Sequence, residues 1–335
     1  EFVGLDASCS ICHDGRLELS PTPQQQSKRS LAQASDIGFL RDLRYRLEYA
    51  VLRFLVGIVR LFPIDMAGSI SGKIWRFVAP FNRRHKRALA NLERAFPEKT
   101  PEEREKIALA MWENLGRVMT ETMNIDRILK EPDRLHVTNG HWITRYKEKM
   151  GPVLIVTMHM GNWEVGMWPV TLAGVNPAGV YRQVKNPYVD RYLRAQREGL
   201  YPGGLFGRGR AAGQDETQKT ARLIMDYVRR GGRLGFISDL YDANGIEVPF
   251  FGYPAKSMPI AAMIARRVGA RIWIGRCVRI GRRACFDVNV NELRIPRTQN
   301  QAEDIRSITA AIQRHFEVWI RETPEQFMWS NRRWF

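Results

Sequence analysis

The residues of this sequence best suited to chemistry are His159 and Glu164, five positions apart within Pro152-Val153-Leu154-Ile155-Val156-Thr157-Met158-His159-Met160-Gly161-Asn162-Trp163-Glu164. An imidazole can take a proton from an alcohol. A nearby carboxylate can hold the ring in one tautomer and stabilise the imidazolium, so the pair can activate a hydroxyl nucleophile. The spacing alone carries little, because a second His-x4-Glu occurs from His13 to Glu18 in His13-Asp14-Gly15-Arg16-Leu17-Glu18. Context separates the two. Only His159 follows an apolar, β-branched run that reads as a buried strand, then a glycine, then a helical pattern with Glu164 in its first turn. His159 is therefore expected at the carboxyl end of a strand, where open α/β sheets bind their ligands.

Elements must exist to hold that pair. After Leu135-His136-Val137 the texture alternates, predicting strands at 152–158, 177–182, 233–238, 271–279 and 284–290. Helices are predicted at 162–173, 187–199, 215–230, 257–268 and 302–322. Such alternation argues for an α/β fold: a mostly parallel central sheet flanked by helices, with antiparallel additions near the end. Two earlier helices are expected at Asn82–Phe96 and Pro101–Asp126. The second has Thr100 as N-cap, Pro101 at its first position and Glu102, Glu103 and Glu105 near the positive end of its dipole. Its Met111, Trp112, Leu115, Val118, Met119 and Met123 recur at helical spacing and read as core.

Other side chains are candidates to join the pair. Arg182 ends the second predicted strand, in Val180-Tyr181-Arg182-Gln183-Val184-Lys185-Asn186-Pro187. Parallel neighbours end on one side of a sheet, so Arg182 is either an anion ligand close to His159 or a surface arginine on a loop. Asp239 closes the third strand and either binds substrate, holds Arg182 or caps a turn. Gly203-Gly204-Leu205-Phe206-Gly207-Arg208-Gly209-Arg210 lacks the Lys-Ser/Thr of a nucleotide P-loop; it is an anion nest or a loop. Asp239 and Asp242 have no companion ligands, and no metal is expected. His85, His136, His141 and His315 read as surface or partly buried structural residues. Trp329-Ser330-Asn331-Arg332-Arg333-Trp334-Phe335 either stacks on nucleic acid or packs its tryptophans on the sheet while the arginines meet anions.

The chain is long enough, at 335 residues, for one large α/β domain with a helical appendage. Its 52 Lys+Arg against 35 Asp+Glu give a formal charge of +17, which implies a polyanionic partner. No zinc-finger spacing, basic-leucine repeat or RNA-binding aromatic signature is present, so anionic lipid is favoured over nucleic acid. Cys277 and Cys285 lie in strand-like segments and read as buried thiols. Cys9, Cys12 and His13 spell a c-type haem attachment pattern, but that chemistry requires export and the residues before it do not read as a secretory signal. No cofactor is expected.

Residues 1–35, rich in Ser, Pro and Gln, read as a disordered or non-native tail. From about Asp36 a helical pattern runs to Pro63 and opens an N-terminal helical region, 36–130, ahead of the α/β core, 131–335. Tyr49 to Phe62 is too short and too charged for a comfortable membrane span. Arg46, Arg53 and Arg60 form one stripe against Leu47, Val51, Phe54, Leu55, Ile58, Val59 and Phe62. That pattern suits a helix lying in a membrane interface with snorkelling arginines, the alternative being a helix on the protein's own core with a solvated arginine edge.

With these segments in order, the chain resembles the lipid A biosynthesis lauroyl/myristoyl acyltransferases, a branch of the glycerolipid acyltransferases with a His-x4-Asp/Glu motif. The matching residues are His159 to Glu164, Tyr181-Arg182 with Asn186-Pro187, Asp239, Val248-Pro249-Phe250-Phe251-Gly252, and Pro324-Glu325-Gln326-Phe327-Met328-Trp329 through Arg332-Arg333. They cover roughly residues 40–335. The sequence departs from the family pattern at Gln183, where proline is common, at Leu240, where a polar residue is usual, and at Asn331, where histidine is frequent. The resemblance implies an enzyme on the cytoplasmic face of a bacterial inner membrane. It would move a fatty acyl chain from acyl carrier protein or coenzyme A to a hydroxyl of a lipid A precursor. It implies His159 and Glu164 as catalytic pair, with Arg182 and Asp239 in the active-site groove. Asn162, Arg182, Asn186, Arg208 and Asp239 are the substrate-binding candidates. The competing expectations are an acyltransferase for another membrane acceptor (a lysophospholipid, an ornithine lipid or a mannosylated phosphoinositide) and a non-catalytic basic membrane- or nucleic-acid-binding protein.

Overall fold

The computed structural model describes residues 23–145, 151–208 and 214–334, with side chains for 38–145, 151–207 and 220–334. The haem-like Cys9, Cys12 and His13 and the His13–Glu18 pair lie outside the described residues. The chain divides into two compact units, 1–48 and 49–335. Helix α1 spans Pro23–Arg60 and so begins well before Asp36. Proline suits the first helical position, and Gln, Lys, Arg, Leu and Ala after it are good helix formers despite the polar composition. Within the first unit, Arg44–Glu48 and Arg46–Asp42 pair one helical turn apart, each at 2.7 Å.

In the second unit, α2 (Ile64–Val78), α3 (Arg83–Ala95), α4 (Pro101–Thr122) and the short α5 (Ile125–Ile128) follow. The expected cap of α4 forms as a capping box: Thr100 Oγ1 accepts from the Glu103 amide at 3.3 Å, and the Glu103 carboxylate accepts from the Thr100 amide at 2.8 Å. α2 crosses α4 at close range because Gly116 has no side chain; a Cβ there would stand 2.7 Å from the Ser71 carbonyl oxygen.

The remaining order is β1 (Leu135–Thr138), α6 (His141–Arg145), β2 (Val153–Thr157), α7 (Trp168–Leu172), β3 (Ala178–Arg182), α8 (Pro187–Arg197), β4 (Leu205–Arg208), α9 (Gln214–Arg229) and β5 (Arg233–Ile237). It continues with β6 (Tyr241–Phe250), β7 (Tyr253–Ser257), α10 (Ile260–Val268), β8 (Arg271–Arg279), β9 (Phe286–Leu293) and α11 (Gln301–Glu322). Seven strands make one sheet in the order β1-β9-β8-β2-β5-β3-β4. From β8 to β4 all neighbours are parallel; β9 runs antiparallel to β8. β2 is buried from Val153 to Val156, and these side chains alternate between two cores. Leu154 and Val156 join Ile272, Ile312 and Phe316 on one face, while Val153 and Ile155 join Trp168, Trp273 and Val288 on the other. This is the period of two that a doubly covered strand requires.

Two local expectations change, and one hairpin is added that the strand pattern did not predict. The glycine- and arginine-rich run after 203 supplies β4, an edge strand in register with β3, rather than a loop or nest. Val248-Pro249-Phe250-Phe251-Gly252 turns the separate β6–β7 hairpin, with Phe251 and Gly252 both at positive φ. The helix expected at 162–173 shrinks to α7, because residues 161–167 are wound into a turn.

The arginine stripe of α1 also behaves differently in the second unit. Arg60 makes a bidentate pair with Asp126, at 2.9 and 2.7 Å, and the Arg53 guanidinium lies 5.1 Å from the centre of the Tyr192 ring. The arginines face protein groups, and the apolar side chains Val51, Phe54, Leu55 and Ile58 are exposed instead. The apolar stripe continues along α2 through Met66, Ile70, Ile74 and Phe77 to Phe81. No helix among the described residues is long and apolar enough to cross a membrane.

Candidate active site

β2 and β5 are adjacent and parallel, with Thr157 opposite Ile237. Two residues past these strand ends, His159 and Asp239 leave the sheet side by side. The His159 Nδ1 is 2.8 Å from Asp239 Oδ1. A carboxylate only accepts, so Nδ1–H donates and the lone pair of the neutral ring is at Nε2. Asp239 is 1% exposed and the His159 side chain 20% exposed, so the anchor is dry while the ring reaches the surface. Burial alone would disfavour the imidazolium, but the Asp239 charge and hydrogen bond, with a lesser contribution from Glu164, outweigh it. The His159 pKa is raised above its ordinary 6.5. The Trp163 ring stands edge-on to the imidazole, with centroids 5.1 Å apart.

Glu164 is placed differently from the sequence expectation. Its carboxylate accepts two hydrogen bonds from Arg197 on α8, from Nε at 2.7 Å and Nη2 at 2.8 Å. Its charge reaches His159, but its hydrogen bonds belong to the arginine. The carboxylate that touches the imidazole is Asp239. Arg197 was not legible in the sequence. Asn186-Pro187 marks where its helix starts, yet only the packing of α8 over the 161–167 turn brings it to Glu164.

That turn is held from beneath. Gly161 has φ +57°, and a Cβ there would be 1.9 Å from the Cys277 carbonyl oxygen on β8, so only glycine fits. Asn162 is fully buried. Its Oδ1 accepts from the Glu164 and Val165 amides at 3.1 and 3.4 Å, and its Nδ2 donates to Glu121 at 2.7 Å. Glu121 on α4 in turn accepts both arms of Arg279 on β8, at 2.5 and 2.8 Å. Asn114 donates to the Gly161 carbonyl at 2.9 Å and accepts from Arg279 Nε at 3.2 Å. Asn162 thus acts as cap and anchor of the turn, with no surface of its own for a substrate.

The other candidates divide. Arg182 ends β3, exposed, on the same sheet edge as His159 but with β5 between their strands. No carboxylate among the described residues pairs with it. Asn186 is buried and caps α8, accepting from the Tyr188 and Val189 amides at 3.0 and 3.3 Å. The Arg208 backbone pairs with Arg182 in the β3–β4 register, and its side chain lies outside the described residues. Sequence reasoning also missed the role of the C-terminal segment. The Met328 amide donates to the His159 carbonyl at 3.0 Å and the Gly161 amide to the Gln326 carbonyl at 2.9 Å. Of the two readings of that segment, the packing of the tryptophans holds, since Trp329 and Trp334 are buried, but Arg333 is buried with them and bonded to Ser257 and Gln313 rather than turned out to meet anions.

Among the described residues no group of three or more His, Cys, Asp or Glu could hold a metal. Cys277 is buried and its thiol pKa pushed up by burial, so it does not supply a thiolate nucleophile.

What this edge offers, in an α/β fold, is an imidazole with Nδ1 anchored to a buried carboxylate, an arrangement that can take a proton at the other ring nitrogen. The family model of the bacterial lipid A biosynthesis acyltransferases matches residues 38–335, and the chain belongs to that family. A lipid A biosynthesis acyltransferase of Haemophilus influenzae is 20% identical to it over 284 residues, spanning 82% of this chain and 84% of the relative.

Proposed function

We propose that this protein transfers a fatty acyl chain from a thioester, carried by acyl carrier protein or coenzyme A, to a hydroxyl of a lipid A precursor, with His159 as general base. The observation that carries this reading is the His159–Asp239 hydrogen bond of 2.8 Å at the carboxyl edge of the sheet, in a chain of this family. The acceptor hydroxyl loses its proton to His159 Nε2 as its oxygen attacks the thioester carbonyl. The carbon–sulfur bond then breaks, the ester forms, and the thiolate leaves. A thiol of ordinary pKa near ~8.5 needs little acid assistance to depart. Asp239 holds the tautomer and stabilises the imidazolium; Glu164, fixed by Arg197, adds its charge. Since Asn162 occupies the Glu164 and Val165 amides, Arg182 is the favoured donor to the developing oxyanion. No acyl-enzyme intermediate is needed.

We further propose that the exposed apolar face of α1 and α2, with Lys73, Arg83 and Arg84 nearby, seats the enzyme on an anionic bilayer. Such seating would bring the enzyme to a lipid acceptor.

The test is transfer of a labelled acyl chain from each thioester to a panel of acceptors, comprising a lipid A precursor, a lysophospholipid and an ornithine lipid. His159→Ala should lose about 10²–10⁴-fold in turnover. Full activity in that variant, or transfer confined to another acceptor, would overturn the assignment.

A further inference from the structure

Arg333, the last but one of the described residues, is 3% exposed in the core beneath the site. Its guanidinium carbon lies 4.2 Å from the centre of the Phe250 ring. One arm, Nη2, donates to Ser257 Oγ at 2.9 Å and to Gln313 Oε1 at 3.0 Å. Gln313 is fully buried, and its amide nitrogen donates to the Ser238 carbonyl at 3.1 Å, next to Asp239. The Asp239 carboxylate attracts Arg333, although no direct hydrogen bond joins them. Asp239 Oδ1 is taken by His159, while Oδ2 is buried without a protein partner among the described residues. A buried cation is therefore linked through the Gln313 side chain to the backbone next to the carboxylate that holds the imidazole, and Arg333 Nε and Nη1, like Asp239 Oδ2, are buried without a protein partner among the described residues.

We infer that Arg333 is a positioning residue for the His159–Asp239 pair, its buried charge favouring the form of the pair in which His159 is neutral and able to accept a proton. The inference rests on the proposed role of His159 as base. When the pair gives up its proton its total charge falls from zero to minus one, a change that burial opposes and a nearby cation favours. Arg333 thus lets the base stand free at working pH. Burial pushes the Arg333 pKa down to about 10, opposed by Asp239 and Glu317, so it keeps its charge at neutral pH. The other charges acting here are Glu164 on the imidazole, held by Arg197, and Glu317 of α11, which Arg314 and Arg321 also attract. Arg182 stands at the neighbouring strand end, and Arg332 lies over the Tyr241 ring.

The experiment is the pH profile of kcat/KM for acyl transfer by the full chain. Arg333→Met should move the acid limb up by about one pH unit, a roughly tenfold loss below it, with recovery at higher pH. Arg333→Lys, which keeps the charge, should leave the limb in place. Should Arg333→Met not fold, Gln313→Glu puts a carboxylate against Nη2, offsets the charge without emptying the core, and should move the limb in the same direction. A folded Arg333→Met or Gln313→Glu enzyme whose limb stays where the unmodified enzyme has it overturns the inference. Failure of the base assignment is distinguishable, because it appears as full activity in His159→Ala.

Discussion

His159 and Asp239 are 80 residues apart in sequence and 2.8 Å apart in space, joined through Nδ1 and Oδ1. Their strands are neighbours in register, so the contact follows from the sheet and not from any local motif. The relationship defines which nitrogen is the base, which way the ring points, and how its protonation responds to pH.

Because Asp239 raises the His159 pKa above 6.5, the acid limb of kcat/KM should lie above the range of an ordinary imidazole. Asp239→Asn removes the negative charge and permits the wrong tautomer. The limb should move to lower pH while the plateau falls about 10²–10⁴-fold. The linked stability has the opposite sense. The pair's extra stability is full below about 6.5 and is lost as pH rises through the raised value. Chemical denaturation at several pH values, compared with Asp239→Asn, measures it.

Glu164 and Arg197 are each largely buried, so removing either leaves an uncompensated charge. Arg197→Met should cost somewhat less than the roughly 3–5 kcal/mol of a fully buried pair. Glu164→Gln combined with Arg197→Gln should recover much of that stability without recovering turnover. Denaturant unfolding and acyl transfer, measured on the same three proteins, separate the two effects.

Gly161→Ala forces a side chain into the Cys277 carbonyl at a left-handed φ. A loss of at least about 1–3 kcal/mol is expected from the strain alone, with turnover falling as the 161–167 turn shifts. An unchanged melting temperature would mean the turn is far more yielding than its contacts imply.

The apolar face of α2 should bind vesicles containing anionic lipid. Replacing Ile74, Phe77 and Phe81 together by serine should weaken binding by at least tenfold with little change in folding stability, since all three are already exposed. Sedimentation with vesicles of mixed zwitterionic and anionic composition, set against circular dichroism melts, provides the measurement.

Much of the fold was legible because it rests on short-range regularities. The buried run at 153–157, the alternation after residue 152 and the Thr100-Pro101 cap each encode their element locally. The failures are as physical. The helix expected at 162–173 starts only at Trp168, and the residues before it form a turn that Asn162 caps while its amide is tied to Glu121 on α4, a contact distant in sequence. The sequence pattern alone turns the arginine stripe of α1 outward, yet Asp126 and Tyr192, distant in sequence, turn Arg60 and Arg53 to the protein.

Taken by itself, the sequence determined that an imidazole follows a buried strand, that a glycine must turn the chain behind it, and that carboxylates and arginines stand at strand ends. Those are properties of neighbours along the chain, set by side-chain period and backbone freedom. Which carboxylate meets which cation was decided by the tertiary structure alone: Asp239 with His159, Glu164 with Arg197, Glu121 with Arg279. Opposite charges attract at any separation along the chain, so the choice among partners falls to strand order and helix packing, which bring one pair to hydrogen-bonding distance and keep the others apart.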